Sequence, residues 1–396
     1  MRRARGPRRV RLACPQARAP ARGSRLRILA AVSLGLWLVL LLLPWQPWRC
    51  KERLEARAVD AAPNVDFTVL IPARNEAENI KETLSALSEA APGASVIVLD
   101  DQSDDGTADV VRASPHPDVR VIAGSAPPGG WAGKLWALEQ GFGHVATSRV
   151  LLLDADILLE PGMPEALLDK AAAGYALVSV LAEPCWRGPW ARWLLPAFVY
   201  FFKLIYPFAL ANRPAGPVAA AAGGVVLADC AALRDIGAFS AWRDAIIDDC
   251  TLARHMKRSR HRCFIGLTRG ARSLRGQGRR SIVSMVARSA YVQLRESPWI
   301  LLGATALLLL AYAVPVAAVA FAGPTRWLGI AAWIALATAY LPALLYYRRN
   351  PFAAILLPAA AMFYLGMTWY SALRHLSGTR SSWKGREYKK EVREEQ

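Results

Sequence analysis

The chain has 396 residues, a formal net charge of +18 and a hydrophobic fraction of 54%, which is unusual for a wholly soluble protein. This length suffices for one large domain with several membrane segments, or for two modest soluble domains. The six cysteines form no Cys-x-x-Cys pair and the five histidines have no ligand spacing, so nothing indicates a disulfide framework or a zinc site.

The basic residues cluster in two stretches, 2–27 and 254–288, and each stretch precedes an apolar run. A net positive charge favours anionic partners such as nucleic acid, acidic lipid headgroups or phosphorylated substrates. Charge placed beside hydrophobic spans is typical of a bilayer surface rather than of a DNA groove. We therefore expect the membrane as a partner, and no nucleic acid.

The N-terminal part divides into a basic arm and an apolar segment. Residues 1–27 predict a disordered arm, with an overlong start site or a transit peptide as alternatives. Residues 28–48 reach the ~20 residues needed to cross a bilayer, and Trp45 and Trp48 would lie at its interface. We interpret them as a transmembrane or membrane-anchor helix, with a cleaved signal peptide as the alternative.

Residues 64–297 have the pattern of an α/β domain. Short apolar runs closed by polar residues predict buried strands, and helical spacing at 76–90 separates the first two. Alternating strands and helices predict a mainly parallel sheet covered on both faces, with ligands at the carboxyl ends of the strands. The predicted strands are 67–71, 95–99, 119–123 and 150–153.

The remaining apolar residues predict an interfacial segment and a membrane-embedded C-terminal part. Residues 186–212 are aromatic and apolar, but Lys203 would be costly in the bilayer core, so we expect this segment to lie in the interface. Residues 298–373 hold three stretches long enough to span, and residues 374–396 predict a basic cytosolic tail. The three stretches are 299–322, 327–347 and 352–373.

Charge alone leaves the number of crossings open. Arg348 and Arg349 before the last stretch and the basic tail after it all favour the cytoplasmic side. The loop with Arg348 and Arg349 and the basic tail cannot both lie in the cytoplasm if the stretch between them crosses the membrane fully. The last stretch is therefore either re-entrant or an exception to the charge rule.

A pair of carboxylates closes the fourth predicted strand. Asp154 and Asp156 are two residues apart, and at a strand end such residues project to the same side. Carboxylate oxygens suit a hard divalent cation, Mg²⁺ or Mn²⁺, that bridges to substrate phosphates. An isolated Asp-x-Asp is also common in solvated turns, so its position after a buried strand is what favours a metal site.

Polar residues also follow the first two strands. Asp100 and Asp101 begin a loop with four acids and one glycine, which predicts either a solvated turn with a helix cap or a site for nucleotide hydroxyls. Pro72, Arg74 and Glu76 end the first strand and are positioned to shape the same nucleotide pocket.

A second acid pair, Asp248 and Asp249, lies just before a helical stretch. Near an acceptor hydroxyl one of them could act as a general base, whereas the alternative is two acids complementing a helix dipole. Gly223 and Gly224 allow close backbone approach and are assigned to an acceptor region. Lys134 is a candidate phosphate contact, and a surface lysine is the alternative.

In this order, the motifs resemble the family-2 inverting glycosyltransferases, which have a GT-A, Rossmann-like, nucleotide-sugar-binding fold. Across residues 66–260 the order is Pro-Ala-Arg-Asn-Glu, Asp-Asp-x-Ser-x-Asp-Gly-Thr, Gly-Lys, Asp-Ala-Asp, Gly-Gly and an acid pair. More narrowly the chain resembles the hopene-associated (HpnB-type) subgroup, through segments 129–134, 196–199, 219–224, 247–250 and 383–386. Residues 285–289 lack the Gln and Trp of the Gln-x-x-Arg-Trp motif, which argues for single sugar transfer rather than polymer synthesis.

The resemblance implies roles for the candidate residues. Pro72, Glu76 and Asp101 would line the nucleotide pocket, and the Asp-x-Asp pair would hold the donor diphosphate through the metal. Asp249 would be the catalytic base, and Asp248 stands where many relatives carry Glu.

The expected protein is a multi-pass enzyme of the bacterial inner membrane whose catalytic domain faces the cytoplasm, where nucleotide sugars are found. The Arg-rich start favours an inside N-terminus and conflicts with this side if residues 28–48 cross. The expected acceptor is a lipid of hopanoid type. A polyprenyl phosphate or glycerolipid acceptor and a non-catalytic scaffold are the alternatives.

Overall fold

A computed structural model describes residues 21–58 and 66–377 and the two short strands β9 (Ser382–Trp383) and β10 (Arg386–Glu387). The predicted basic arm and tail therefore lie largely outside the described residues. The main sheet has eight strands: β1 (Thr68–Ala73), β2 (Ser95–Asp100), β3 (Val119–Ala123), β4 (Arg149–Leu153), β5 (Ile157–Leu159), β6 (Leu177–Glu183), β7 (Val225–Asp229) and β8 (Cys263–Ser273).

The sheet order is β3-β2-β1-β4-β7-β6-β8-β5. The first four strands in this order are parallel, as the sequence predicts, whereas β7 pairs antiparallel with β4 and with β6. The sheet is thus mixed. Because β7 runs opposite to β4, the loop before β7 lies at the same edge as the carboxyl end of β4.

α-Helices cover both faces of the sheet. They are α1 (Ala21–Leu42), α2 (Ala77–Ala90), α3 (Thr107–Arg112), α4 (Gly133–Phe142), α5 (Met163–Ala172), α6 (Pro189–Ile205), α7 (Phe208–Ala211), α8 (Cys230–Asp235), α9 (Asp248–Arg258), α10 (Arg279–Gln293), α11 (Pro298–Leu308), α12 (Val314–Val319), α13 (Pro324–Tyr346) and α14 (Leu357–Leu376).

The strand β1 lies at the centre of the domain, and all six of its residues are buried. On one face it packs against α2 through Ile80 and Leu84, and on the other face α4 crosses it closely. A Cβ on Gly141 of α4 would lie 2.3 Å from Leu70 Cδ1, so a larger residue there would force the Leu70 side chain to shift. The close packing of α4 fixes Lys134, in its first turn, above the end of β1.

Within the described ranges, four helical segments are long and apolar enough to cross a membrane: Ser24–Leu42, Pro298–Val319, Pro324–Tyr346 and Pro351–Leu376. The N-terminal helix packs mainly against α13. Trp37 Nε1 donates a hydrogen bond of 2.9 Å to the carbonyl of Ala311, which lies in a π-helical turn between α11 and α12. The N-terminal helix α1 and the C-terminal helices therefore form one helical bundle.

The two ends of the last apolar segment lie on the same side of this bundle, next to the catalytic domain. Before the segment, the Arg349 guanidinium lies 5.0 Å from the ring of Trp186. At its other end, Ser371 Oγ donates to the carbonyl of Ala287 in α10 at 2.6 Å. Because α10 leads directly from the catalytic domain into α11, this contact places the end of α14 on the domain side.

The predicted interfacial segment forms the two helices α6 and α7. Eight residues of α6 are buried, among them Lys203, which is only 2% exposed. Its ammonium group donates to the carbonyl of Arg49 and lies 5.6 Å from the ring of Phe208. The charge of Lys203 is thus used to join α6 to the chain that follows α1.

Candidate active site

A cleft opens where β1 and β4 end, and it contains most of the candidate chemistry. Its walls combine apolar side chains with a small charged cluster. The lining residues are Pro72, Lys134, Leu135, Leu138, Leu152, Leu153, Asp154, Gly223, Val226, Phe239, Trp242, Asp248, Asp249 and Leu252. A carboxylate cluster inside a largely apolar cleft is a typical arrangement for a site with perturbed pKa values.

Lys134 joins the Asp-x-Asp motif to the second acid pair. Its Nζ lies 2.7 Å from Asp154 Oδ1 and 3.7 Å from Asp248 Oδ2. Burial alone would lower the pKa of Lys134, but the carboxylates of Asp154 and Asp248 outweigh it and raise that pKa above its ordinary value. Burial also raises the pKa of Asp154, and Lys134 opposes this rise. The lysine is therefore a fixed positive charge in the cleft, and not a surface lysine.

Asp249, at the start of α9, is held by two backbone N–H groups. Gly223 N donates to its Oδ2 at 3.0 Å, and Cys250 N donates to its Oδ1 at 2.7 Å. Burial and the neighbouring carboxylate of Asp248 raise the pKa of Asp249 to about 6, while these hydrogen bonds and Lys134 partly oppose the rise. A carboxylate with a pKa near neutrality is well matched to general base catalysis.

Asp156 lies in a turn rather than in an extended strand, since Ile157 N donates to the carbonyl of Asp154 at 3.1 Å. Its Oδ2 accepts a hydrogen bond of 2.8 Å from Ser273 Oγ at the end of β8. Its Oδ1 lies 3.3 Å from Arg275 Nη2, and the same nitrogen lies 2.6 Å from Glu76 Oε1. The two aspartates of the motif thus contact different cations.

The loops that follow β1 and β2 are tied together at the predicted nucleotide pocket. Arg74 donates to the carbonyls of Asp101 and Gln102, and its Nη1 lies 3.9 Å from Asp101 Oδ2. Asp101 is fully buried, so it supports the pocket wall rather than facing the cleft. Asp100 Oδ1 is buried and accepts no hydrogen bond within the described ranges, which makes it an acceptor available to a ligand.

Most of the candidates from the sequence converge on this edge of the sheet. Asp154, Asp248, Asp249, Lys134 and Gly223 share the cleft, and Gly224 closes it, since a Cβ there would lie 3.9 Å from Asp154 Oδ2. Pro72 lines the same cleft from the end of β1.

Glu76 lies with Asp156 and Arg275 instead of in the cleft, and Ser273 completes that group. Ser273 is the last residue of β8 and Arg275 follows it, and because no strand was predicted there, their contacts with Asp156 were not anticipated. The only available hint was the density of basic residues between 254 and 288.

The donor set fits a divalent cation that is shared with a substrate. Among the residues that the structure describes, no three His, Cys, Asp or Glu side chains are arranged to hold a metal on their own. Asp154 and Asp156 offer hard carboxylate oxygens, and both already lie beside positive charges. Mg²⁺ is usually bound by one or two carboxylates together with substrate phosphates, so these two aspartates fit such an ion.

Comparison with known proteins identifies the family. The family model described as "Glycosyltransferase like family 2" matches residues 63–283, which is more than half of the chain. The chain belongs to glycosyltransferase family 2. The matched range contains all the residues of the cleft and ends within α10.

Curated relatives are similar to the chain over a shorter range. The chain is 36% identical to the 4,4'-diaponeurosporenoate glycosyltransferase of Staphylococcus aureus strain MRSA252 over 105 residues, and 38% identical to that of strain USA300 over 91 residues. These alignments cover 26% and 23% of this chain, and 28% and 24% of the relatives. The chain therefore matches only about a quarter of each curated relative.

A solved structure shows the same fold over nearly the whole chain. The mannosyltransferase PcManGT of Pyrobaculum calidifontis, solved in complex with GDP-Man and Mn²⁺, is 20% identical with a TM-score of 0.53. The match covers 89% of this chain and 99% of that protein. The family 2 chain thus has a GT-A-type α/β fold with several helices that could span a membrane, as the sequence predicts. The narrower hopene-associated subgroup stays a prediction.

Proposed function

We propose that this protein is a membrane-bound inverting glycosyltransferase that transfers a single sugar from a nucleoside-diphosphate sugar to a lipid acceptor. One observation carries the proposal. Asp249, a carboxylate with a raised pKa, lines the cleft beside Asp154 and Lys134, while the next residue, Cys250, packs in the core of the membrane-side helices. A base in this place can reach a hydroxyl group that enters from the lipid.

The donor would bind over the ends of β1, β2 and β4. The loops after β1 and β2 form the nucleotide pocket, where Asp100 offers an unoccupied acceptor oxygen. Lys134 would turn from Asp154 toward the diphosphate. Asp154 and Asp156 would hold Mg²⁺ or Mn²⁺, which supplies neutralisation of the charge that develops on the leaving diphosphate.

Transfer then needs a base on the acceptor side. Asp249 removes the proton from the acceptor hydroxyl, whose oxygen forms a bond to the anomeric carbon as the bond from that carbon to the diphosphate oxygen breaks. In-line attack inverts the anomeric configuration. Gly223 N and Cys250 N hold both carboxylate oxygens of Asp249, so the base is oriented before the substrate arrives.

The acceptor route is supported by the contacts around Cys250. The membrane-side core that contains Cys250 also contains Phe208, Ile282 and Val286, from α7 and α10. Tyr206, between α6 and α7, donates a hydrogen bond of 2.8 Å to Gln293 in α10. These elements join the base to the lipid-facing helices. A hopanoid is the proposed acceptor, with a polyprenyl phosphate or a glycerolipid as alternatives.

The resemblance to the curated relatives bears on the same point. These relatives are named as glycosyltransferases of 4,4'-diaponeurosporenoate. An apolar acceptor suits a base whose neighbour in the chain, Cys250, packs in the core of the membrane-side helices.

We further propose three full membrane crossings and one re-entrant segment, in the inner membrane of a bacterium with the catalytic domain in the cytoplasm. The segment Pro351–Leu356 reaches only the middle of α13, where Trp333 Nε1 donates to the carbonyl of Ile355 at 3.2 Å. Its return along α14 to the domain side accounts for basic residues at both ends. This topology puts the N-terminus outside, against its charge.

The proposed domain division keeps the predicted boundaries except at the first membrane helix. That helix was predicted at 28–48 after a disordered arm at 1–27, whereas the apolar part of α1 is Ser24–Leu42 and the helix itself begins at Ala21. We propose that residues 64–297 are the catalytic domain with its interfacial segment 186–212, that 298–373 are the C-terminal membrane part and that 374–396 are a cytosolic tail.

The proposal is tested with membranes from cells that express the full chain. They are incubated with radiolabelled nucleotide sugars that differ in base and sugar, and the lipids are extracted and separated. We expect label in one lipid, with inverted configuration at the anomeric carbon, and loss of that label with EDTA or Asp249→Asn. Label in no lipid across the panel, or label unchanged in the Asp249→Asn membranes, would contradict the proposal.

A further inference from the structure

Arg275 bridges two carboxylates that come from distant parts of the chain. Its Nη2 lies 2.6 Å from Glu76 Oε1, after β1, and 3.3 Å from Asp156 Oδ1, after β4. Both carboxylates are nearly buried, with side-chain exposures of 7% and 11%, whereas the arginine side chain is 40% exposed. The arginine therefore lies at the rim of the site and points its charge inward.

The carboxylate of Asp156 has a partner on each oxygen. Ser273 Oγ donates to Oδ2, and the Arg275 guanidinium lies beside Oδ1. In addition, Leu274 N donates to the backbone carbonyl of Asp156 at 2.7 Å. The end of β8 is thus attached to the turn that carries the Asp-x-Asp motif. Because a buried carboxylate is costly without a positive partner, the structure needs a cation at Asp156 Oδ1 whenever no other cation is bound.

We propose that Arg275 is the resident cation of the metal site. It neutralises Asp156 in the empty enzyme, leaves Asp156 when a divalent cation binds there, and then binds the diphosphate of the donor. The inference rests on the proposed function, because it concerns the same donor site. It assigns Arg275 a charge-neutralising role at Asp156 as well as a role in diphosphate binding.

The chemistry of the side chain suits both parts of this role. A guanidinium group pairs with a carboxylate or with two phosphate oxygens through the same fork of N–H groups. A divalent cation at Asp156 would repel Arg275, while a diphosphate that neutralises the cation would attract it. Its exposure leaves room for the side chain to turn, since Gly276 and Gly278 follow with nothing within 4 Å of the position of an added Cβ.

A consequence is that metal and diphosphate bind cooperatively. Arg275 competes with a metal that binds alone, so it weakens that binding, and it strengthens binding of the diphosphate that accompanies the metal. Coupling of this kind is reciprocal, and each ligand raises the affinity for the other. The enzyme would thereby avoid holding a metal ion tightly before the donor arrives.

The first test measures binding of Mn²⁺ alone to the full-length protein in detergent, by the loss of the free-ion signal in electron paramagnetic resonance. We expect Arg275→Gln to bind Mn²⁺ more tightly than the wild type, by about three- to tenfold, as for the loss of one or two partly exposed ion pairs. The matched control is Arg272→Gln, three residues earlier in β8, which removes the same charge from an exposed pair with Glu160. It should bind Mn²⁺ as the wild type does.

The second test measures the diphosphate. With saturating Mn²⁺, UDP and GDP are titrated separately, and Arg275→Gln should bind the better of the two more weakly than the wild type, whereas Arg272→Gln should not. Arg275→Lys should bind Mn²⁺ as weakly as the wild type does, because the positive charge remains. It should lose part of the diphosphate affinity, because lysine lacks the paired N–H groups of the guanidinium.

A merely structural ion pair would not raise the affinity for Mn²⁺ and lower the affinity for the nucleoside diphosphate when it is removed. If Arg275→Gln binds Mn²⁺ no more tightly than the wild type, or loses affinity for Mn²⁺ and diphosphate together, the inference is wrong. Neither measurement uses sugar transfer. The inference can therefore fail while Asp249-dependent transfer stands, and transfer can fail while the opposite changes are seen.

Discussion

Replacing Asp249 by Asn removes the proposed base with the smallest change of shape. The amide oxygen can still accept from one backbone N–H, either that of Gly223 or that of Cys250, but the amide nitrogen then faces the other donor. Leaving one buried N–H without an acceptor costs about 1–3 kcal/mol of folding free energy. Removing the negative charge beside Asp248 relieves a repulsion and offsets part of this cost.

The expected effect on catalysis is larger than the effect on stability. General base catalysis contributes roughly 10²- to 10⁴-fold, which corresponds to about 3–5 kcal/mol of transition-state stabilisation. We expect kcat/KM of Asp249→Asn to fall within that range. Binding of the nucleoside diphosphate should be almost unchanged, because in the structure Asp249 contacts neither the loop after β1 nor the loop after β2.

The assay is transfer of label to the extracted lipid, measured between pH 5 and pH 8. Only the ionised carboxylate can accept the proton, so kcat/KM of the wild type should rise with pH and level off above the Asp249 pKa of about 6. In Asp249→Asn this fall of kcat/KM at low pH, the acid limb of the profile, should disappear. A loss smaller than tenfold, or an acid limb that persists in the variant, would refute the assignment of Asp249 as the base.

The control must separate chemistry from folding. Asp229 precedes α8, and its Oδ1 accepts a hydrogen bond of 2.9 Å from Ala232 N. Asp229→Asn makes the same change from carboxylate to amide at another helix N-terminus, outside the cleft, where Asn caps a helix as well as Asp. It should keep wild-type transfer and the wild-type pH profile.

Three further predictions concern the electrostatics, the backbone and the topology. Asp248→Asn should move the acid limb of kcat/KM to lower pH, since the carboxylate of Asp248 helps to raise the pKa of the neighbouring base. An unmoved limb would exclude this coupling. Gly162→Ala should lower the melting temperature in detergent far more than Gly188→Ala. Both glycines have φ near +85°, but only at Gly162 would a Cβ lie 1.7 Å from a backbone oxygen. Equal melting temperatures would show that this contact relaxes freely. In a cysteine-free background, Ala322→Cys and Ser377→Cys should react with a membrane-impermeant thiol reagent from opposite sides of the membrane, and labelling from one side would exclude a re-entrant last segment.

Much of the fold follows from local patterns in the sequence. Buried strands such as β1 are continuous apolar runs closed by polar residues, and hydrophobic stretches long enough to span stand out by length alone. The strands that escaped prediction are β5, β6, β7 and β8. Their order and direction in the sheet are not encoded in the local pattern of each segment. The antiparallel course of β7 is therefore a property of the assembled sheet.

Some residues of the candidate site could be found from the sequence, and others are brought to it only by the fold. Asp154 and Asp249 could be found in the sequence because each acid pair directly follows a short apolar run, and such positions tend to meet at one edge of a sheet. Lys134 was a weaker candidate, since only the packing of α4 against β1 places its ammonium group between the acids. Arg275 contacts Glu76 across 199 residues of chain, a pairing that no spacing rule anticipates.

The sequence by itself determined the α/β domain, the order of its motifs and the presence of membrane-embedded helices, because each depends on the periodicity and composition of a short segment. Tertiary structure decided which charges meet, that the loop before β7 supplies a backbone donor to Asp249, and that the last apolar segment returns to the side from which it came. These features depend on strand order and helix packing, which bring together residues that are far apart in the chain.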